Sequence, residues 1–569
     1  MIFLIETGLI VLALLISVVF PVAASRWLEN VEKLFGRLAG NRRLSVALVG
    51  FGALLLRAVV LPIEPVPQPI VHDEFGYLLA ADTYAHGRLT NPTHPMWVHF
   101  ETFSILQKPT YQCFAQPAQG MVLALGKVVF GHPFWGVWLS TGLMCAAITW
   151  MLQGWLPPEW ALLGGVLAVL RYGVFSYWAH SYWGGAVGAI GGALVLGALP
   201  RIQQSQRVRD ALWMGLGLAL LANSRPYEGF VFCVPIAVIL FVWMFKKDSP
   251  AFRRSLRRVV LPLALVLSLT AAGLGYYLWR VTGSPFRMPY QIERETYAVA
   301  PYMLWQHERP EPVYRHTVMR KMYVEEELVG YRFFRSFPGF LMKVYIGWCF
   351  FLGPALTVPL LMLAFSLPRG FSWHDINRPT WILLSVFFAS AIGWFLETFY
   401  NPHYSAPATG LILLCVLLSI RALRRWGQSG TFLARAIIVI CVLSFSVRAI
   451  AAPLHIRLRE FYEFAWYQKG PDDFGRAAIQ AELKAAPGKH VVLVRYRPQH
   501  EPFAEWVYND ADIDQSKIVW ARDMGASENQ ELLNYFKDRH VWLVEADEKP
   551  LSLLEYQSAP QGNSANASR

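Results

Sequence analysis

"LSVALVGFGALLLRAVVLPIEPVPQPIVHDEFGY", residues 44–77, decides the fold. Its first twenty residues, Leu44 to Ile63, are almost wholly apolar, and a helix needs about 20 such residues to cross a bilayer core. Soon after them come His72, Asp73 and Glu74, three ionisable side chains placed beside the membrane face. An acidic pair in that position has two physical readings. It either caps and charges the first turn of a surface helix, which the helix dipole favours, or it supplies a proton acceptor at the bilayer face.

The rest of the chain carries the same lipid signature. Of its 569 residues 55% are hydrophobic, 14% aromatic and only 16% charged, whereas soluble chains carry about 25% charged residues. The mean hydropathy is +0.33. A net charge of +12 would suit nucleic acid, but the Lys and Arg residues gather in short loops between apolar runs, the pattern of cytoplasmic connections. No nucleic-acid partner is read. Cys145, Cys233, Cys349, Cys415 and Cys441 lie in apolar runs and only Cys113 in a loop, so no disulfide framework is implied.

The fold class expected is an α-helical polytopic membrane protein of about twelve transmembrane helices with a small C-terminal α/β domain. Residues 1–43 read as an additional N-terminal span and a basic cytoplasmic loop. The run Thr7–Ser25 follows Glu6 rather than a basic region, and Arg26, Lys33, Arg37, Arg42 and Arg43 come after it, which places the N-terminus outside. Residues 44–452 read as the transmembrane catalytic domain. Further runs fall at about 134–153, 160–178, 184–200, 211–227, 229–245, 259–279, 348–367, 379–398, 405–421 and 434–452. The outer face then receives two long loops, 64–132 and 280–347. Arg57 is close enough to the outer end of its span to snorkel. From Pro453 the chain changes character. "HVVLVRY", "KIVWAR" and "HVWLVEAD" are β-rich, and "DDFGRAAIQAELKAA" and "NQELLNYFKDR" are helix-like. They suggest an outer α/β domain over 453–555 with a packing or partner-binding role, followed by a disordered tail at 556–569.

Four outer clusters carry chemistry-bearing residues. The first is His72-Asp73-Glu74 with Tyr77; on its helix Phe75, Leu78 and Leu79 are expected to face lipid. The second is "LLANSRPYEGF", where Arg225 ends an apolar run and Glu228 follows. The third is "FYNPHYSAP", with His403 and Tyr404. The fourth is the loop set Arg287, Tyr290, Arg294 and Tyr297. Each alone fits a bland role: a helix cap, a snorkelling anchor, an aromatic belt or a solvated face.

Together they resemble the GT-C superfamily of membrane glycosyltransferases, which includes protein O-mannosyltransferases and the aminoarabinose transferases that modify lipid A. The resemblance covers roughly residues 44–420. It rests on Asp73-Glu74 with Tyr77 in the first outer loop, "PAQGMVLALGKVVFG" entering the next span, Arg225 ending the central hairpin, and His403-Tyr404-Ser405-Ala406-Pro407 where relatives usually read Arg-Tyr before Pro. It implies an inverting enzyme that moves a sugar from a polyprenyl-phosphate donor to a hydroxyl or amine of a cell-envelope lipid, glycan or protein. The site would face the periplasm from a bacterial inner membrane. Asp73 would be the base and Glu74 would orient Asp73 or the acceptor. Arg225 would hold phosphate, and His72, Tyr77, Glu228, Arg287, Tyr290, His403 and Tyr404 would contribute to substrate binding. No cofactor is implied. A divalent metal is the alternative: His72, His86, His94 and His99 with Glu101 are residue types that bind one, but they lack tight ligand spacing, and relatives that use monophosphate donors generally need none, while those that use diphosphate donors often do. The alternative is a multi-span transporter or lipid flippase, since Arg57, Arg171, Arg225 and Glu397 sit in or at the ends of apolar runs. A transporter would more often show two related halves, and none is evident.

Overall fold

The structure is a computed structural model that describes residues 1–22, 25–245, 252–365, 378–451, 453–454, 456 and 475–556. Of the expected disordered tail at 556–569 all but Tyr556, together with Lys246, Lys247 and much of the start of the C-terminal domain, lie outside the described residues.

A helix forms on every one of the twelve apolar runs. In chain order the first ten helices are α1 (Ile2–Val19), α2 (Ser25–Gly40), α3 (Arg42–Val60), α4 (His72–Ala85), α5 (Pro117–Phe130), α6 (Phe134–Leu152), α7 (Pro158–Ala168), α8 (Ala186–Ser205), α9 (Val208–Ala222) and α10 (Pro226–Met244). Of these α1, α3, α6, α8 and α10 are long and apolar enough to cross a membrane, as are Phe252–Thr282, Pro379–Leu396 and the segment Pro402–Ala451. That last segment doubles back. Phe445 packs on Phe175 with ring centroids 5.1 Å apart, while Tyr177, next but one in the chain, meets His403 at 2.8 Å. A straight helix would separate residues 403 and 445 by about 63 Å, so Thr409–Leu423 and Gly427–Ala451 run side by side. Among the described residues eight helices, or nine with a bent pair counted as one span, are long and apolar enough to cross, fewer than the twelve expected; α9 has 15 residues and α7 has 11 before it runs on as the five residues Val169–Gly173. The run at 348–367 is a bent pair, Phe337–Phe351 and Gly353–Phe365, at 104° to one another. The bend falls at Gly353, whose φ of +58° suits glycine.

The first outer loop is built rather than loose. Glu74 closes the first turn of α4 by accepting the Ile70 and Val71 N–H groups at 3.0 and 3.1 Å. Pro117 opens α5, where its missing N–H costs nothing. Between the two helices a short antiparallel pair forms, β1 (Ile105–Leu106) with β2 (Gln112–Cys113).

The three β-rich tail segments form strands β3 (His490–Arg495), β4 (Ile518–Arg522) and β5 (His540–Glu545), joined by an edge strand β6 (Leu553–Glu555). The order is β4-β3-β5-β6, parallel except for β6. Strand alternation gives the sheet two apolar faces. Val492 and Val494 face Ile479 and Leu483 of the helix Arg476–Ala485. Val491 and Leu493 belong to one cluster with Leu79, Phe100, Ile105 and Tyr111 of the first outer loop. Phe75 stacks on Tyr508 with centroids 4.0 Å apart. Phe75 and Leu79 therefore face this sheet and not lipid as expected: a sheet with two apolar faces must cover both, and α4 covers one of them.

Candidate active site

The N-terminus of α4 meets residues 174–185, which connect α7 to α8. The meeting point is the Asp73 carboxylate. Its Oδ1 accepts the Ser104 hydroxyl at 2.7 Å and lies 3.1 Å from His72 Nδ1, and its Oδ2 accepts the Trp183 indole N–H at 2.8 Å. Ser104 reaches it from a φ of +60°, a left-handed conformation uncommon outside glycine, and also lies 2.7 Å from His72 Nδ1. Burial alone would raise the Asp73 pKa, but the charge and hydrogen bond of His72 and the bond from Ser104 outweigh it and hold the carboxyl well below the usual range. Burial would lower His72, yet Asp73 reverses that, and the imidazole sits above its ordinary value.

Asp73 and His72 form part of the wall of a cavity of about 620 Å³, together with Tyr177, Trp183, Arg294 and Tyr404. Glu293 and Glu327 lie on the same wall. Arg294 is ion-paired with Glu327, and Tyr323 donates to Glu293. Burial raises the Glu293 carboxyl; Arg294 offsets part of this and Glu327 adds to it, leaving the group at about 7. At Phe334 the cavity adjoins an apolar groove of about 430 Å³ floored by Phe337, Phe340, Ile392 and Phe395, with Arg335 and Lys343 at its side.

The expected site residues are only partly brought together. Glu74 is spent on backbone: besides the two α4 contacts it accepts the Tyr182 N–H at 2.9 Å, so it fixes the turn that carries Asp73. His403 is a support. Its backbone N–H donates to the Tyr177 hydroxyl at 3.0 Å, and its ring packs 4.7 Å from Trp183 and 4.9 Å from Tyr404. Arg225 is a layer behind the wall, 4.9 Å from the centre of the Tyr404 ring and 3.5 Å from Glu228. The arginine at the wall itself is Arg294, beside His72. Tyr77 is buried within electrostatic reach of Arg225. Tyr290 packs behind Tyr302, with centroids 6.0 Å apart. Arg287 is not at this site: it pairs with Glu295 and lines another cavity, although Glu293 and Arg294 of the helix that follows it reach the wall beside Asp73.

Two residues that hold Asp73 were not singled out in the sequence. Trp183 lies in "VFSYWAHSYWGG", residues 174–185, which reads as the edges of two spans. The available signal was a polar His180-Ser181 and a Gly184-Gly185 pair inside an apolar stretch. Ser104 had no signal at all. The intramembrane arginines are structural. Arg57 is buried, not snorkelling, and donates to the carbonyls of Ala179 and Glu64 and bonds His180; Arg171 donates to those of Cys349 and Phe350. His94 contacts Asp514 and His99 the Arg522 carbonyl. These histidines serve the joint between loop and sheet, and among the described residues no three His, Cys, Asp or Glu side chains are arranged to hold a metal.

No family model and no curated protein matches this chain. Solved structures do resemble it. The oligosaccharyltransferase of Archaeoglobus fulgidus, in its apo form, is 11% identical, with 89% of this chain and 69% of that chain covered and a TM-score of 0.48. ArnT from Cupriavidus metallidurans is 12% identical in the apo state, with 86% and 92% covered and a TM-score of 0.46. The same ArnT bound to undecaprenyl phosphate gives 14%, 88%, 92% and 0.46.

Proposed function

We propose that this chain is an inverting membrane glycosyltransferase that moves a sugar from a polyprenyl-phosphate donor to a hydroxyl or amine of a cell-envelope lipid, glycan or protein. The reaction would run at the periplasmic face of a bacterial inner membrane. One observation carries the proposal: an ionised carboxylate, Asp73, held by three donors at the wall of a cavity that adjoins an apolar groove. That juxtaposition suits a ligand with a sugar at one end and a long hydrocarbon at the other.

In the transfer, an acceptor oxygen or nitrogen bonds to the anomeric carbon from the face opposite the phosphate. The bond from that carbon to the phosphate oxygen breaks, and the lipid phosphate leaves with the electron pair. The acceptor proton goes to Asp73. Because the carboxyl is held far below the usual range, it is a weak base in the ground state. It takes the proton only as the new bond acidifies the acceptor, which makes the proton transfer late. The leaving phosphate gathers negative charge, and cations already in place stabilise that charge most in the transition state. His72 and Arg294 are at the wall, with Arg225 behind Tyr404. Glu74 acts on Asp73 through the backbone it ties down.

Asp73→Asn keeps the size and shape of the side chain while removing the proton acceptor; its one carbonyl oxygen can still accept from Ser104 or from Trp183, though not from both. With the purified chain and a radiolabelled polyprenyl-phosphate sugar, turnover should fall by roughly 10²- to 10⁴-fold with no loss of folded protein. Wild-type turnover in this variant would sink the assignment.

A further inference from the structure

We infer that a second cavity, separate from the one at Asp73, binds a phosphorylated saccharide. It encloses about 710 Å³ between residues 93–109, the end of the span at Thr282, the helix Pro289–Tyr297 and Arg315. The inference goes beyond the transfer proposed above and does not depend on it.

Three cations from three separate segments, Lys108, Arg287 and Arg315, line this cavity. Arg287 pairs with Glu295, and Arg315 lies 3.5 Å from Glu101. Lys108 has no carboxylate within ion-pair distance among the described residues. Lys108 and Arg315 are nonetheless drawn to one indole: the Lys108 Nζ is 4.2 Å and the Arg315 guanidinium 4.8 Å from the centre of the Trp97 ring. The ring quadrupole favours each cation separately but leaves their mutual repulsion in place; Glu101, which lines the same cavity, offsets only Arg315, and a phosphate bound in the cavity would offset the rest.

The second feature is neutral. Gln107 is 2% exposed and lines the same cavity. Its amide N–H₂ donates to the Phe100 carbonyl at 2.7 Å, which fixes the orientation of the amide. Its Oε1 is buried with no hydrogen-bond partner. A buried acceptor left unpaired is costly, and a ligand hydroxyl would satisfy it after a small shift of the wall that covers it. Cations for a phosphate and one acceptor for a hydroxyl describe a sugar phosphate better than a bare anion. The two cavities stand back to back. Tyr297 lines this one and stacks on Tyr323 with centroids 5.6 Å apart, and Tyr323 lines the other.

The test uses the full chain in phosphatidylcholine nanodiscs and reads acylation of Lys108 by an amine-reactive reagent, quantified by peptide mass spectrometry. Glucose 1-phosphate should slow acylation at least about fivefold through charge-assisted bonds, in both the wild type and Asp73→Asn. Inorganic phosphate should protect more weakly and glucose not at all. Arg315→Gln should raise the glucose 1-phosphate concentration needed by about tenfold, and Gln107→Leu should reduce its effect to that of inorganic phosphate. Absence of protection by glucose 1-phosphate, or equal protection by glucose, overturns the inference whatever the variants do. If replacing part of the lipid with phosphatidylglycerol alone protects Lys108 and glucose 1-phosphate adds nothing, the phosphate is a lipid headgroup and the saccharide is rejected. Because protection is read without turnover, failure of sugar transfer leaves this result standing.

Discussion

At the scale of single residues the decisive contact is His72 with Asp73. Their pKa values move in opposite directions, the imidazole up and the carboxyl down, because each favours the charged form of the other. The consequence for stability has a definite sign. A histidine whose pKa is raised on folding contributes fully below its unfolded value of about 6.5, and the contribution is lost as pH climbs through the folded value. Wild type should therefore exceed His72→Gln in stability near pH 6, with the gap closing as the medium becomes alkaline. Thermal unfolding of both proteins across that range checks it. A gap that is constant or widens with pH would mean that the imidazole is not paired in its charged form. Glu74 behaves differently despite being the neighbouring acid. Three backbone N–H groups bond to its oxygens, so although both acids of the pair line the cavity, Glu74 is also tied to the chain.

At the scale of elements the segment 174–185 governs the site. It delivers Trp183 to Asp73, the Tyr182 N–H to Glu74 and Tyr177 to His403. Its exit into α8 depends on Gly185, with a φ of +130° and no room for a side chain: a Cβ there would lie 2.3 Å from the Trp178 indole. Trp178 is 1% exposed and packed on Phe350 at 4.8 Å, so it has nowhere to go. Gly185→Ala should cost about 1–3 kcal/mol through strain and lower transfer by displacing Trp183. Trp183→Phe should lower transfer and also lower the melting temperature by a few degrees, because the donor to Asp73 and part of a buried ring are lost together. If Trp183→Phe turns over like wild type, the indole bond plays no part. The segment also marks where the sequence stops being informative. Apolar runs announce helices by composition alone, and the sites of all twelve were legible that way, as were the tail strands through their Val-rich alternation. An aromatic connection buried between helices has the same composition as a span, so "VFSYWAHSYWGG" passed for span edges. Likewise Asp73 and His72 stood out by charge beside lipid, whereas Ser104 and Trp183 become significant only when the chain folds them onto Asp73. Arg225 and Arg294 were both visible as cations, but which of them reaches the wall depends on packing around Tyr404.

At the scale of the whole molecule two cores meet at α4. The large core that joins most of the spanning helices draws Tyr77, Ala80 and Ala81 from α4 and contains no residue of the C-terminal sheet. The opposite side of α4 gives Leu79 to the cluster with Val491, Leu493, Val519 and Ala521. Polar contacts reinforce that second joint: the Ala511 N–H donates to Asp82 at 2.8 Å, and Arg522 donates to the Glu101 carbonyl at 2.7 Å. The sheet thus holds the outer face of the helix whose first turn carries Asp73, while the spans cohere without it. Units joined in this way open separately. A chain ending at residue 456 should therefore still insert and keep its helical content, yet leave Phe75, Leu79, Phe100 and Tyr111 uncovered, expose residues 86–113 to protease and lose transfer. Retention of wild-type turnover by that shortened chain would show that α4 needs no cover to hold Asp73. Loss of insertion would show that the two cores are one cooperative unit, contrary to the division of their contacts.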